Sequence, residues 1–359
     1  MSSDFGRRLK ISLFGESHGE KVGVVIDGMP AGEPVDMDEL SRFLSRRRPG
    51  SGPLVTDRCE TDDPEFLSGV KNGFTCGTPI CIAISNGDAK SASYDADVPR
   101  PSHGDLTHCI KSRGFADLTG GGHFSGRLTA PLCAAGGVFL QALKRRGVRI
   151  GAHLLSVGAV EDDAFDPVSP DLDAVSPYDL PVINKGALDR MKTLILSLKE
   201  EGDSVGGVVE CAITGLPAGI GDPIFYGVEN ALSSAVFGIP GVRGIEFGAG
   251  FRASSMTGSA HNDAFFIDDG VIKTKTNNHG GVLGGISSGM PVIFRAAIKP
   301  TPSIGKKQDS VSMSKMSEKA IAVSGRHDPC VALRAVPCIE AAAASAILDL
   351  MLFDRGDAF

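Results

Sequence analysis

A short turn near the C-terminal end of the chain, SGRHDPC (residues 324–330), brings together three residue types that can do chemistry. Arg326 offers a planar cation for an anion, His327 titrates near neutral pH, and Asp328 can carry a proton. An Asp followed by Pro is also an ordinary turn signal, and charged turns are often only solvated. The turn is therefore a candidate site only if other segments supply partners for it.

Two histidines elsewhere in the chain are the first such partners. His18 lies in GESHG and His103 in RPSHGD, where neighbouring glycines leave the imidazole ring unshielded. An imidazole with a pKa close to neutral suits a general acid or base. Most loop histidines are inert, and the other histidines lack a comparable constellation, so we interpret them as structural or peripheral: His108, His123, His153, His261 and His279.

Two further segments indicate a bound anion. GGGHFSG (120–126) precedes a predicted helix, where free backbone N–H groups and the helix dipole favour negative charge. Arg46, Arg47 and Arg48 end another predicted helix. Cations at a helix C-terminus often only complement the dipole, but guanidinium groups also bind phosphate and carboxylate. Together these segments favour a phosphate as ligand.

The composition excludes several classes of function. A net charge of −7 over 359 residues argues against nucleic acid as the main partner, so an anion site must be local. The eight cysteines lack the paired spacing of a zinc ribbon, which predicts reduced thiols and no metal site. The N-terminus lacks the apolar core of a signal peptide, and no apolar run is long enough for a bilayer, so we expect a cytoplasmic protein without membrane contact.

Helices and strands are predicted to alternate, which indicates an α+β fold. The predicted strands are 22–30, TPICIAIS (78–85), 205–215 and 289–300, and the predicted helices are 36–48, 125–146, 186–202, 230–238 and 338–353. The acidic, proline-rich stretch 161–181 is a predicted loop. No dinucleotide fingerprint follows the first strand, and no break in composition divides residues 1–359. We therefore expect a single large domain in which the glycine-rich clusters converge on one site.

The order of these motifs resembles that of the chorismate synthase family. The shared blocks run from about residue 9 to residue 353: FGESHG, RRRPG, LSGV, RPSHGD, GGGHFSG, GIPGVRGIEFGAGF, NNHGGVLGGISSG, KPTPSI and GRHDPCVALRAVPCIEA. The resemblance implies a β-α-β-α sandwich and a homotetramer. It also implies an anti 1,4-elimination of phosphate from 5-enolpyruvylshikimate 3-phosphate, giving chorismate, with reduced FMN (FMNH2) required and no net redox change.

The resemblance also implies roles for individual residues. His18 matches the histidine that protonates the leaving phosphate, His103 a histidine at the flavin, and Asp328 a carboxylate that exchanges a proton at the flavin. The matching flavin-binding positions are Ser125, Gly284, Lys299, Pro300, Thr301, Pro302, Ser303 and Arg326, and the substrate-binding positions are Arg46, Arg47 and Arg100.

The chain departs from the family pattern at three positions. His123 stands where an Arg is common, Leu128 where a Glu is common, and Pro53 near a position that is often Arg.

Two alternative functions stay open: a flavin-dependent oxidoreductase acting on a phosphorylated small molecule, and a scaffold that has lost catalysis. Flavin reduction by NADPH occurs in some family members, but this chain has no fingerprint for that dinucleotide.

Overall fold

Helices and strands alternate in the computed structural model, which describes residues 2–48, 52, 54–55, 60–87, 95–175, 180–323 and 328–356. The α-helices of the described residues are α1 (Met37–Arg47), α2 (Asp105–Lys111), α3 (Thr129–Arg145), α4 (Lys185–Glu200), α5 (Val228–Phe237), α6 (Gly258–His261) and α7 (Ala332–Arg355). The strands are β1 (Asp4–Phe5), β2 (Lys10–Gly15), β3 (Lys21–Asp27), β4 (Glu65–Ser68), β5 (Val70–Lys71), β6 (Phe74–Thr75), β7 (Ile80–Ser85), β8 (Arg149–Val157), β9 (Val160–Glu161), β10 (Gly207–Thr214), β11 (Val242–Phe247), β12 (Phe265–Asp268), β13 (Val271–Thr274), β14 (Val282–Leu283), β15 (Ile286–Ser287), β16 (Val292–Ile298), β17 (Gln308–Ser312) and β18 (Ser317–Ile321).

Two antiparallel five-stranded sheets form the framework. The first has the order β1-β2-β3-β7-β4, and the second has the order β11-β16-β10-β8-β9. Predicted strands became β3 and β7 in the first sheet and β10 and β16 in the second, so those four predictions are confirmed. In β7, Ile80, Ile82 and Ile84 are all buried, as expected when alternate side chains face a core.

Helices lie between the two sheets. Helix α3 contacts β3 and β7, α7 contacts β8 and β10, and α3 and α7 contact each other. One cluster of buried apolar residues runs through the helices and both sheets. The expected α+β architecture is confirmed.

The termini of α1 and α3 show how local sequence determines where a helix begins. The Asp36 side chain accepts hydrogen bonds from the backbone N–H groups of Asp38 and Glu39, so α1 is capped as predicted. The prediction that the next helix begins at Ser125 was wrong. The Ser125 hydroxyl caps a short 3₁₀ turn by accepting from Arg127 N, and α3 begins at Thr129.

Helix α7 is buried nearly all round, as its alanine-rich sequence predicts. Among the described residues it contains one stretch apolar and long enough to cross a bilayer, Ala332–Asp354, but 94% of its most apolar window is buried inside the protein. Small residues allow α7 to approach α3. A Cβ atom added to Gly136 would lie closer than 3.0 Å to Ala341, a separation that real Cβ atoms do not show.

The remaining predicted elements also match the structure. Helices α4 and α5 occupy the predicted segments. The described part of 161–181 contains only the end of β9 and a 3₁₀ turn, Leu172–Ala174, while 176–179 lie outside the described residues.

The cysteines Cys133 and Cys211 are buried, and burial raises the pKa of both thiols. Within the described ranges, no group of three His, Cys, Asp or Glu side chains could hold a metal ion.

A buried chain of charges crosses the second sheet. The His153 ring is fully buried, with Nδ1 3.1 Å from an Asp162 oxygen and Nε2 3.1 Å from a Glu210 oxygen. Glu210 also accepts from Arg295 Nε at 2.9 Å and from Phe165 N at 2.7 Å. Burial raises the pKa of Glu210, but hydrogen bonds, led by that from His153, lower it overall. Both His153 nitrogens lie within hydrogen-bond distance of a carboxylate oxygen, so the ring links Asp162 to Glu210 in one buried network.

We expect His153→Leu to lower the free energy of unfolding by about 1–3 kcal/mol, because Asp162 and Glu210 each lose one hydrogen-bonding partner in a fully buried site. Urea denaturation followed by circular dichroism measures the change. His261→Leu, at a half-buried histidine on α6, serves as the control and should cost much less. Equal losses in the two variants would contradict a special contribution from His153.

Candidate active site

A cleft of about 1630 Å³ is lined by segments that are far apart in sequence. They include the turn after β2, the glycine loop 120–126, the end of α5 and the start of β11, the segment after β16, and the start of α7. The sequence has three glycine-rich clusters, and residues from two of them, 120–126 and 238–250, therefore meet at this cleft. None of the residues of the third cluster, NNHGGVLGGISSG (277–289), belongs to the lining, so the expected convergence holds only in part.

The glycine loop lies against both candidate histidines. Gly120, Gly121 and Gly122 all have positive φ angles, of 62°, 91° and 53°. A Cβ atom on Gly120 would lie closer than 3.0 Å to the His18 ring, and one on Gly121 would lie 2.9 Å from His103 Cε1. The loop needs glycine for its left-handed backbone and for this close approach. The prediction that this loop directly precedes the helix is wrong, since α3 begins only at Thr129.

An aspartate orients His103. Asp105 Oδ1 lies 2.7 Å from His103 Nδ1, and the same carboxylate accepts from Arg100 Nε and Nη2, both at 2.8 Å. Burial raises the pKa of Asp105, but hydrogen bonds from Arg100 and His103 outweigh it and hold that pKa well below its usual range. The carboxylate therefore stays ionised and fixes Nδ1, which leaves His103 Nε2 as the atom that can take up or give a proton.

Asp328 lies at the same cleft, half-buried. It accepts from Arg334 Nη1 at 2.7 Å, and Arg334 Nε donates to the Arg47 carbonyl at 2.9 Å. Arg334 was not singled out from the sequence, although it follows the turn closely. Arg326 and His327 lie outside the described residues.

Adjacent arginines at the end of α1 have different surroundings. Arg47 lines the cleft, is buried, and donates from Nε to Asp62 at 3.0 Å. Arg46 donates to both oxygens of Glu340, at 2.6 and 2.8 Å, and is not part of the lining. The structure therefore brings Arg47, but not Arg46, to the cleft.

Arg127 is a cleft residue that sequence reasoning missed. It is buried and shares the Asp62 carboxylate with Arg47, while its Nε donates to Asn86 Oδ1 at 2.7 Å. Burial raises the pKa of Asp62, but the two guanidinium groups lower it overall. The position of Arg127, one residue after the glycine loop, was the signal that could have identified it.

Most of the predicted flavin-binding positions lie together. Ser125 and the whole segment Lys299–Ser303 line the cleft, and Ser303 Oγ accepts from Arg100 at 3.2 Å. Thr301 Oγ1 is buried and has no hydrogen-bond partner among the described residues, so it could bind a polar group of a ligand. Gly284 lies in the β14–β15 turn and is not part of the lining. The cleft volume and these polar groups fit a flavin mononucleotide.

The departures from the family pattern have local explanations. His123 Nδ1 donates to the Gly15 carbonyl at 2.7 Å, so Nε2 can accept from the Ser3 hydroxyl at 2.6 Å. The ring thereby ties the glycine loop to β2 and the N-terminal segment. Leu128 is buried beside the cleft. Pro53 lies outside the described residues.

The comparisons with known proteins agree with this geometry. Residues 9–352 match the family model described as chorismate synthase. The chain belongs to the chorismate synthase family. It is 44% identical to the chorismate synthase of Lancefieldella parvula, over 98% of this chain and 96% of that protein, and 44% identical to that of Korarchaeum cryptofilum, over 96% of each.

A solved structure supports the same conclusion. The "Crystal Structure of Chorismate Synthase" superimposes with a TM-score of 0.76 at 27% identity and covers 99% of this chain and 94% of its own. The sandwich fold expected from the resemblance to chorismate synthase is confirmed. Chorismate synthases are phosphate-eliminating lyases, so the predicted enzyme class is confirmed as well.

We expect Gly120→Ala to lower phosphate release roughly a hundredfold, because the added methyl group displaces the His18 ring from its position. Gly126→Ala is the matched control in the same loop, since its Cβ would meet nothing within 4 Å. Both variants should keep the circular dichroism spectrum of the wild type. Equal activity in the two variants would show that ring placement by Gly120 is unimportant.

Proposed function

We propose that the chain converts 5-enolpyruvylshikimate 3-phosphate to chorismate and phosphate by an anti 1,4-elimination, with reduced FMN required and no net redox change. The observation that carries the proposal is the pair of histidines packed against one glycine loop in a cationic cleft. Among the residues that the structure describes, the lining contains seven lysines and arginines but only three aspartates and glutamates, in a chain with net charge −7. Such a cleft suits a phosphorylated, anionic substrate.

Departure of phosphate builds negative charge on the oxygen that leaves carbon 3. A proton donor and cations near that oxygen stabilise the transition state more than the ground state. We assign the proton donation to His18. Arg47 and Arg100 hold the substrate anion nearby, and buried carboxylates fix the positions of both guanidinium groups.

The second set of groups controls protons at the cofactor. Reduced flavin, when bound, would lend electron density to the elimination without a net change in its redox state. His103, oriented by Asp105, holds a proton at Nε2, and Asp328 takes up or returns the proton exchanged at the flavin. Lys299, Pro300, Thr301, Pro302, Ser303 and Ser125 would hold the cofactor, with Gly284 and Arg326 as further proposed contacts.

The enzyme would act in the cytoplasm, at the last common step of aromatic biosynthesis in the shikimate pathway, and as a homotetramer. Apolar side chains on the β12–β13 hairpin are available for contact between copies, since Phe265, Ile267 and Ile272 are 66%, 76% and 67% exposed. Light scattering after size-exclusion chromatography tests the tetramer, and a monomeric mass would contradict it.

The deciding experiment is an anaerobic incubation of the protein with reduced FMN and 5-enolpyruvylshikimate 3-phosphate. Phosphate release and chorismate absorbance should rise together, while the flavin remains reduced at the end. Flavin oxidised in proportion to product would instead support the oxidoreductase. A folded protein that binds both ligands and releases no phosphate would be the scaffold.

We expect His103→Ala and Asp328→Ala each to lower turnover by roughly a hundredfold or more, the scale of losing a general acid or base. The reduced-FMN assay under anaerobic conditions measures the effect. His261→Ala and Asp309→Ala, which change the same residue types outside the cleft lining, are the matched controls. Turnover like that of the wild type in both cleft variants would defeat the assigned roles.

A further inference from the structure

Cations in the cleft differ in how their charge is balanced. Most guanidinium groups there lie against a carboxylate, in the pairs Arg47–Asp62, Arg100–Asp105, Arg127–Asp62 and Arg334–Asp328. For Lys111, Arg243 and Lys299, no carboxylate of the described residues lies within the 4.0 Å of an ion pair. Of these three, Arg243 and Lys299 come from neighbouring segments, and together they present uncompensated positive charge to the cleft.

A β-bulge brings Arg243 to this position. Along the pairing of β11 with β16, Val242 lies opposite Ile298 and Gly244 opposite Ala297, so Arg243 is the extra residue between them. A bulge redirects a side chain that regular alternation would point elsewhere, and bulges are frequent beside binding sites. Arg243 is exposed and lines the cleft.

Lys299 directly follows β16, the strand that pairs with β11 and its Arg243. Its backbone N–H donates to the Gly241 carbonyl at 2.9 Å, and its ammonium group donates to the Ser102 carbonyl. Burial and, secondly, the charge of Arg243 lower the pKa of Lys299. Two like charges held this close repel each other, and an anion bound between them would relieve that repulsion.

We propose that Arg243 and Lys299 together bind a phosphomonoester dianion in the cleft. The proposal rests on the proposed function, which brings two such groups to the site, one on FMN and one on the substrate. Arg243 supplies a planar fork that can donate two parallel hydrogen bonds to phosphate, and Lys299 adds a point charge. Thr301, two residues after Lys299, has the buried, unpartnered hydroxyl described above and can donate a further hydrogen bond.

The experiment compares dissociation constants in the wild type, Arg243→Gln, Arg243→Lys and Arg252→Gln. Arg252 is an exposed arginine that is not part of the cleft lining, so its variant makes the same change in net charge away from the site. Quenching of flavin fluorescence gives the constants for FMN and for riboflavin, which lacks the phosphate. Calorimetry gives the constant for 5-enolpyruvylshikimate 3-phosphate without flavin.

The result expected for a flavin phosphate is that Arg243→Gln weakens FMN binding by about 10- to 100-fold and leaves riboflavin binding unchanged, on the scale of a lost charge-assisted hydrogen bond. If the pair binds the substrate phosphate, the same loss appears for the substrate, and the ratio of FMN to riboflavin affinity stays at the wild-type value. In either case Arg243→Lys should recover part of the affinity, and Arg252→Gln should match the wild type.

Affinities for FMN and for the substrate that are the same in Arg243→Gln as in Arg252→Gln would overturn the proposal. Because these dissociation constants are measured without catalysis, they test the phosphate site independently of the reaction. Failure of the proposed function has a different signature, namely a wild-type protein that binds both ligands and releases no phosphate.

Discussion

The close approach of backbone to imidazole at the glycine loop is the constraint on which the site depends. His18 and His103 come from different segments, and a Cβ atom on Gly120 or on Gly121 would lie within 3.0 Å of the first or the second ring. Hydrogen bonds from Ser17 N to the Gly122 carbonyl and from His123 to the Gly15 carbonyl hold the loop in place. Backbone packed against both imidazole rings limits where they can lie, which is how an active site becomes preorganised.

Electrostatic balance divides the cleft into two kinds of cation. Where a carboxylate lies behind a guanidinium group, as Asp62 does for Arg47 and Arg127, the charge is held rigidly and partly neutralised before any ligand arrives. Where none does, as for Arg243 and Lys299, the balancing charge has to come from the ligand. A cation of the first kind has its counter-charge before a ligand binds, whereas one of the second kind gains its counter-charge only when an anion binds.

Elements with a regular pattern could be predicted from the sequence, and elements defined by distant partners could not. Strand β7 and helix α1 follow from alternation and capping alone. Strand β8 was missed because a histidine in its middle looks polar, and it is accommodated only by Asp162 and Glu210 from elsewhere in the fold. The start of α3 was misplaced because the Ser125 hydroxyl caps a 3₁₀ turn.

The candidate site shows the same division. The motif resemblance supplied His18, His103, Asp328 and the segment Lys299–Ser303, which line one cleft. Sequence could not separate Arg46 from Arg47, since adjacent residues on a helix point about 100° apart and only tertiary structure shows which one faces the cleft. Arg243 depends on strand register, which no local pattern contains.

The tight seam between α3 and α7 has a consequence for how the protein can change over time. Gly136 packs against Ala341 in the core, so a larger side chain on one helix would clash unless a smaller residue replaced its neighbour on the other helix. Homologues should therefore vary there by paired exchanges. In laboratory evolution, substitutions should be tolerated more often on the solvent-facing hairpins than at this contact between α3 and α7.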